Sequence, residues 1–289
     1  MTVGVRAVAR TRRRRSRPTV ALATAVFALI AVAGLLAPWL APHDPARQDL
    51  RGRLAEPTGL QVASDGVRRP LGSDHLGRDV ASRTLYAIRT SLGIAIVGTL
   101  VGAALGSLLG LTAGMAGGRV DDAIMFGVDV QLALPFILLA LVAIAVFGTH
   151  PVVLVGIIGL SGWDGYARVV RGQVLSAKRA PYVEASHALG VAPVVVALRH
   201  VLPNVGTPIV VLASFNFTSI VLLEASLSFL GLGVQPPGVS LGLLIAYGRE
   251  YLLNAPWMTL APAAVLVLMT MSVGIVSDAL RDRFDPRTA

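Results

Sequence analysis

The chain has no cysteine. Disulfides, thiolate metal sites and a cysteine nucleophile are therefore excluded. Charge is scarce: 14% of the 289 residues are Asp, Glu, Lys or Arg, against about a quarter in soluble domains. Lysine occurs once, at Lys178, in the stretch LSAKRA. A P-loop needs glycines that cradle phosphates ahead of its lysine, and they are missing there, so this chain does not hydrolyse ATP by that route. The histidines, at 43, 75, 150, 187 and 200, have no HExxH spacing, and no serine sits in a GxSxG elbow.

Apolar residues, in contrast, make up 54% of the chain, and the mean hydropathy is +0.71. This predicts an all-α polytopic membrane protein rather than a soluble globule. A helix needs about 20 apolar residues to cross about 30 Å of hydrocarbon. Residues 19–41 meet that without a charge, over a longer core than a signal peptide needs, so they form a first transmembrane helix. Further spans are expected at 92–116, 124–147, 151–163 (continuing helically into DGYARVVRGQVL), 205–230 and 259–279. The expected organisation is a basic cytoplasmic tail over 1–18, the first span, an extracytoplasmic loop over 42–91, and a five-helix core over 92–289. The segment SLGLLIAYGREYLL is too short and charged to cross, and reads as an interfacial helix on the outer face.

The formal charge of +9 is nearly all arginine. Arg6, Arg10, Arg12 to Arg15 and Arg17 precede the first span, which fits a cytoplasmic flank. No aromatics interleave them, so nucleic acid is not the expected partner. With both termini cytoplasmic, 16 Lys and Arg fall inside and nine outside. The bias is weak because the 42–91 loop carries eight arginines, although long loops cross regardless of charge.

Gly98, Gly102, Gly106, Gly110 and Gly114 recur every four residues in the second span. On a helix they form one small-residue face for close helix packing. The spacing does not say whether the neighbour lies in the same chain. Asp121 and Asp122, beside Arg119, read as a solvated turn. Glu224 lies within the fifth span, where a carboxylate is costly and marks a functional candidate: it lines the pathway or holds a helix contact, with a structural or gating role favoured over substrate specificity and a proton relay as the alternative. Asp74, His75 and Asp79 have metal-capable side chains, yet both aspartates also suit helix capping.

Between the fourth and fifth spans stands PYVEASHALGVAPVVVALRHVLPN, residues 181–204. Pro181 suits a helix start, with Glu184 in the first turn where the helix dipole favours a carboxylate. Gly190 suits a helix end, and Pro193 starts a second helix that Pro203 closes. The narrow apolar stripe of Tyr182, Ala185 and Leu189 fits either docking on a partner or an ordinary surface loop.

The stretches YVEASHALG and RHVLPN resemble the EAA signature of ABC-type importer permeases, nearest to the second permease subunit of the dipeptide, oligopeptide and nickel group. PLGSDHLGRDVASRTLYAIRTSL, GGRVDDAIM, DVQLALP and LLEASLSFLGLGVQPPGVSLG are similar to that group at matching order. The resemblance covers roughly residues 70–285. It implies a six-helix type I importer permease fold and a coupling loop within 164–204. Tyr182, Glu184, Ala185, Ser186, Gly190 and Pro203 would meet a separate ATPase subunit. It further implies a second homologous permease, two ATP-binding cassette subunits that hold ATP and Mg, an extracytoplasmic substrate-binding protein, and a bacterial inner-membrane location in contact with lipid. No cofactor is expected in this chain. Ser186 and His187 depart from the usual signature residues, and Phe126 replaces a common arginine. The implied cargo is di- or oligopeptides, with nickel or another small solute as the alternative. An ion-coupled secondary transporter would show inverted repeats around midplane charges, and none is evident.

Overall fold

The computed structural model describes residues 17–59, 68–181, 191, 195 and 202–284, and these are helical wherever they are regular apart from one isolated bridge between Ser73 and Asp79. The long elements are α1 (Arg17–Leu35), α3 (Val80–Ala116), α8 (Leu202–Phe229) and α10 (Trp257–Phe284). The short ones are α2 (Ala37–Leu40), α4 (Gly118–Ala133), α5 (Phe136–Phe147), α6 (Pro151–Gly159), α7 (Trp163–Lys178) and α9 (Leu241–Gly248). Five helical stretches, with α6 and α7 counted as one, are long and apolar enough to cross a membrane, and a sixth arises if α4 and α5 form one span bent by 94°. The bend falls at Leu134–Pro135, where proline removes a backbone donor and disfavours helix in the preceding residue.

Helix α3 is the axis of the bundle and packs against α1, α6, α7 and α8. It starts at Val80, not at residue 92, so the preceding loop ends at Asp79. Asp79 caps it: its Oδ2 accepts from Ser82 N at 2.7 Å and Ser82 Oγ at 2.6 Å. The extra turns hold Arg83, which a hydropathy reading assigns to a loop. In the fold Arg83 is buried beside Asp74 at 3.5 Å, and it donates to the Pro45 carbonyl. Helix α3 ends at Gly117, whose φ of +66° is ready for glycine and strained for other residues.

Residues 41–59 and 68–79 form a folded cap rather than a tether. Arg69 pairs with Asp49 at 2.9 Å, Arg78 with Asp74 at 2.7 Å, and Trp257 donates to the Ser73 carbonyl. Two arginines of this loop-rich region, Arg69 and Arg78, are thus paired internally, which offsets part of the basic charge between apolar spans. Asp74 also accepts from Leu76 N and Arg78 N. Asp74 and Asp79 are therefore spent on turns, a cap and arginines.

Helix α9 corrects the expectation of an interfacial helix. Leu241, Leu243 and Leu244 are buried, and the helix packs between α8 and α10 and against α3.

Candidate functional site

The glycine face of α3 lies on α6 and α7. A Cβ at Gly98 would sit 2.8 Å from the Ile158 side chain, and one at Gly102 3.0 Å from the Gly159 carbonyl. At Gly106 and Gly110 it would overlap the carbonyls of Trp163 and Ala167, and at Gly114 it would meet Val174 at 2.7 Å. The neighbour left open by spacing is therefore in the same chain. Over 16 residues the face is about 24 Å long, so two backbones touch along most of a span. Lys178 closes the seam, donating from Nζ to the carbonyls of Gly114 and Met115 at 3.3 and 3.1 Å. Those are end carbonyls of α3 that no further helical turn satisfies.

A second set of contacts ties α4 to α7. Asp121 is buried and takes both arms of Arg171, at 2.5 and 2.6 Å. The expected solvated turn is instead the first turn of α4 in a bidentate ion pair. Two turns on, Asp129 accepts from Arg168 at 2.8 Å, with both side chains more than half exposed. Gln131 spans the α6–α7 break: its Nε2 donates to the Leu160 carbonyl at 2.8 Å, and its Oε1 accepts from Trp163 Nε1 at 2.6 Å. Asn216 of α8 approaches Tyr166 OH at 3.4 Å. An exposed ion pair along a span belongs against water or another chain, not against hydrocarbon. Asp129 and Gln131 are polar residues within the apolar 124–147 span, but Arg168 and Trp163, 39 and 32 residues away, carry no local signal of the pairing.

Glu224 is fully buried near the C-terminal end of α8. Its Oε2 accepts from Ser91 of α3 at 2.9 Å and its Oε1 from Ser228 at 2.7 Å. Ser240, the N-cap of α9, reaches Ser228 at 3.2 Å, and Leu241 N donates to Ser91. One carboxyl group thereby fastens α3, α8 and α9. Among the described residues it faces no open space.

Residues 106–289 match the family model described as binding-protein-dependent transport system inner membrane component. The chain belongs to this family. Residues 9–57 match the N-terminal TM domain of oligopeptide transport permease C. The di/tripeptide transport system permease protein of Pseudomonas aeruginosa is 36% identical over 90% of this chain and 85% of its own. The nickel transport system permease protein of Escherichia coli is 37% identical over 94% and 95%. The oligopeptide transport system permease protein of Escherichia coli is 41% identical over 75% and 72%. A solved methionine ABC transporter in inward-facing conformation has a chain of the same fold, with TM-score 0.54 and 18% identity over 68% of this chain and 94% of that one.

This inner membrane component is thus a permease of a binding-protein-dependent importer and not a catalyst. Its expected ATPase contacts Tyr182, Glu184, Ala185, Ser186 and Gly190 lie outside the described residues, and Pro203 falls in the first turn of α8. What is described is the ground on either side. Helix α7 runs into that loop and α8 leaves it. Val191, partly buried, packs in a small apolar cluster with Val170, Val174, Leu111 and Ile209.

Proposed function

We propose that the chain is one of two homologous permease subunits of an ATP-driven importer of di- or oligopeptides. ATP and Mg bind two cassette ATPase subunits, and an extracytoplasmic binding protein delivers the cargo. Both termini and the 182–203 loop face the cytoplasm. One observation carries the coupling: the loop is bracketed by α7 and α8, and α7 is locked to α3 by backbone contact along the glycine seam. Close-packed helices transmit displacement instead of absorbing it. A push on the loop therefore moves α7 with α3 as one body. ATP drives the outward-facing state only if the ATPase dimer binds the loop better in that state.

The Asp129–Arg168 face of α4 and α7 lines the translocation path, where water solvates an ion pair that lipid would not. Glu224 serves as a latch between helices and does not contact cargo. Peptide cargo is favoured by the N-terminal match to oligopeptide transport permease C. The experiment is reconstitution of the full assembly with its binding protein in vesicles. Labelled dipeptide should accumulate only with ATP. Accumulation of Ni²⁺ instead would assign the alternative cargo, and uptake without ATPase subunits would favour an ion-coupled carrier.

A further inference from the structure

Two adjoining cavities lie along α1. The first, ≈ 770 Å³, sits between α1 and α10, with Arg17, Arg283 and Asp282 at one end and Val20, Ala21 and Ala279 as its wall. The second, ≈ 390 Å³, is lined by Phe27, Ile96, Leu100, Phe217 and Val273 among others. Thr24 lines both. It turns its hydroxyl back onto the Val20 carbonyl at 2.8 Å, as Ser277 does onto Val273. Of the groove's hydroxyls, only that of buried Thr99 is without a partner among the described residues.

We propose that this cleft holds one anionic phospholipid, its phosphate between Arg17 and Arg283 and an acyl chain in the groove beyond Thr24. Charge and depth both point to that occupant. Among the described residues neither guanidinium forms an ion pair, whereas Asp282 has an interaction of its own. From Arg17 to Phe27 is ten residues, about 15 Å along a helix, or one leaflet of a hydrocarbon core of about 30 Å. A charged rim opening into a neutral apolar groove of that depth matches a headgroup and its tail. Basic pockets between spans at a membrane surface select anionic headgroups. The proposal rests on the chain spanning the membrane, and on neither the cargo nor the coupling loop.

The assembled transporter is purified into nanodiscs of phosphatidylcholine mixed with phosphatidylglycerol, and retained lipids are counted by native mass spectrometry. Phosphatidylglycerol should be retained with about tenfold preference, and Arg17→Gln with Arg283→Gln should reduce that preference to near unity. Thr24→Trp, which blocks the neck without altering charge, should also lose the retained lipid. Unchanged preference in the double variant would overturn the proposal. So would displacement of the lipid by millimolar inorganic phosphate, or an Ala21→Cys variant that cross-links to a second permease subunit in place of lipid. None of these readouts uses transport, so a wrong cargo or coupling assignment would leave them unaffected.

Discussion

Gly106 of α3 rests against the carbonyl of Trp163 at the start of α7, so closely that a single added methyl would overlap that oxygen. The same methyl would meet the Tyr166 side chain at 2.7 Å, and Tyr166 is fully buried. The seam therefore has no slack at this point.

Gly106→Val should destabilise the protein by about 1–3 kcal/mol or prevent assembly, because overpacked cores relax poorly. Gly172 of α7, with nothing within 4 Å of its Cβ position, supplies the contrast. Gly172→Ala should be neutral or gain about 0.5–1 kcal/mol from helix propensity. Thermal unfolding in detergent, followed by fluorescence-detected size exclusion, reads both. Equal behaviour of the two variants would mean that the seam does not constrain the bundle.

Glu224→Gln should fold nearly as well as the parent. The amide keeps one acceptor, and the serine hydroxyls can turn to accept from its nitrogen, for a cost of about 1 kcal/mol. Glu224→Ala should cost about 2–4 kcal/mol, since it strands the hydroxyls of Ser91 and Ser228 and leaves a cavity. Transport by Glu224→Gln should persist. If the amide variant folds normally but transport is abolished, the carboxylate is part of the moving machinery and not a latch.

The two ion pairs of α7 should differ in a double-mutant cycle. Asp121–Arg171 is bidentate with its carboxylate buried, whereas Asp129–Arg168 is exposed on both sides. The coupling energy should be about 1.5–3 kcal/mol for the first and about 0–1 kcal/mol for the second. Comparable values would place Asp129 and Arg168 in a dry environment, against the path assignment.

His75 provides a pH test. Burial pushes its imidazole below the ordinary value, with Arg78, Arg83 and Arg53 adding to the effect and Asp74 opposing it. The ring stacks on Tyr251 at 5.6 Å and meets Tyr247 edge-on at 5.6 Å. The folded cap therefore prefers neutral histidine, and below the ordinary pKa of about 6.5 an unfolded chain binds more protons than the folded one. Its contribution is full above that pH and is lost as the pH falls through it toward the lowered folded value. The melting temperature should fall more between pH 7.5 and 5.5 in the parent than in His75→Phe. Identical pH profiles would contradict this reading.

Most of the span pattern was legible because uninterrupted apolar runs report burial in lipid, whatever the helices pack against. The start of α3 was not: Arg83 and Arg89 resemble loop residues, and only the fold reveals that Asp74 neutralises Arg83. The 94° bend at Leu134–Pro135 was not legible either, because a proline marks a break in a helix without fixing the angle across it. Asp121 read as solvated since its partner, Arg171, is 50 residues away, and pairing across that distance leaves no periodicity. The glycine spacing announced a close contact and could not name its partner. Leu241 and Leu243 looked interfacial because a short apolar helix reads the same whether it lies on a surface or enters a bundle.

The proposed coupling requires the 182–203 loop to lie on the cytoplasmic side, where an ATPase can grip it. The chain has no cysteine, so Ala185→Cys adds a single thiol to a clean background. Labelling with a membrane-impermeant maleimide, on intact cells and on inverted vesicles carrying the assembled transporter, tests it directly. Labelling is expected in inverted vesicles only, with protection when ATPase subunits are bound. Labelling on intact cells would put the loop on the outer face, beyond the reach of any cytoplasmic ATPase, and contradict it.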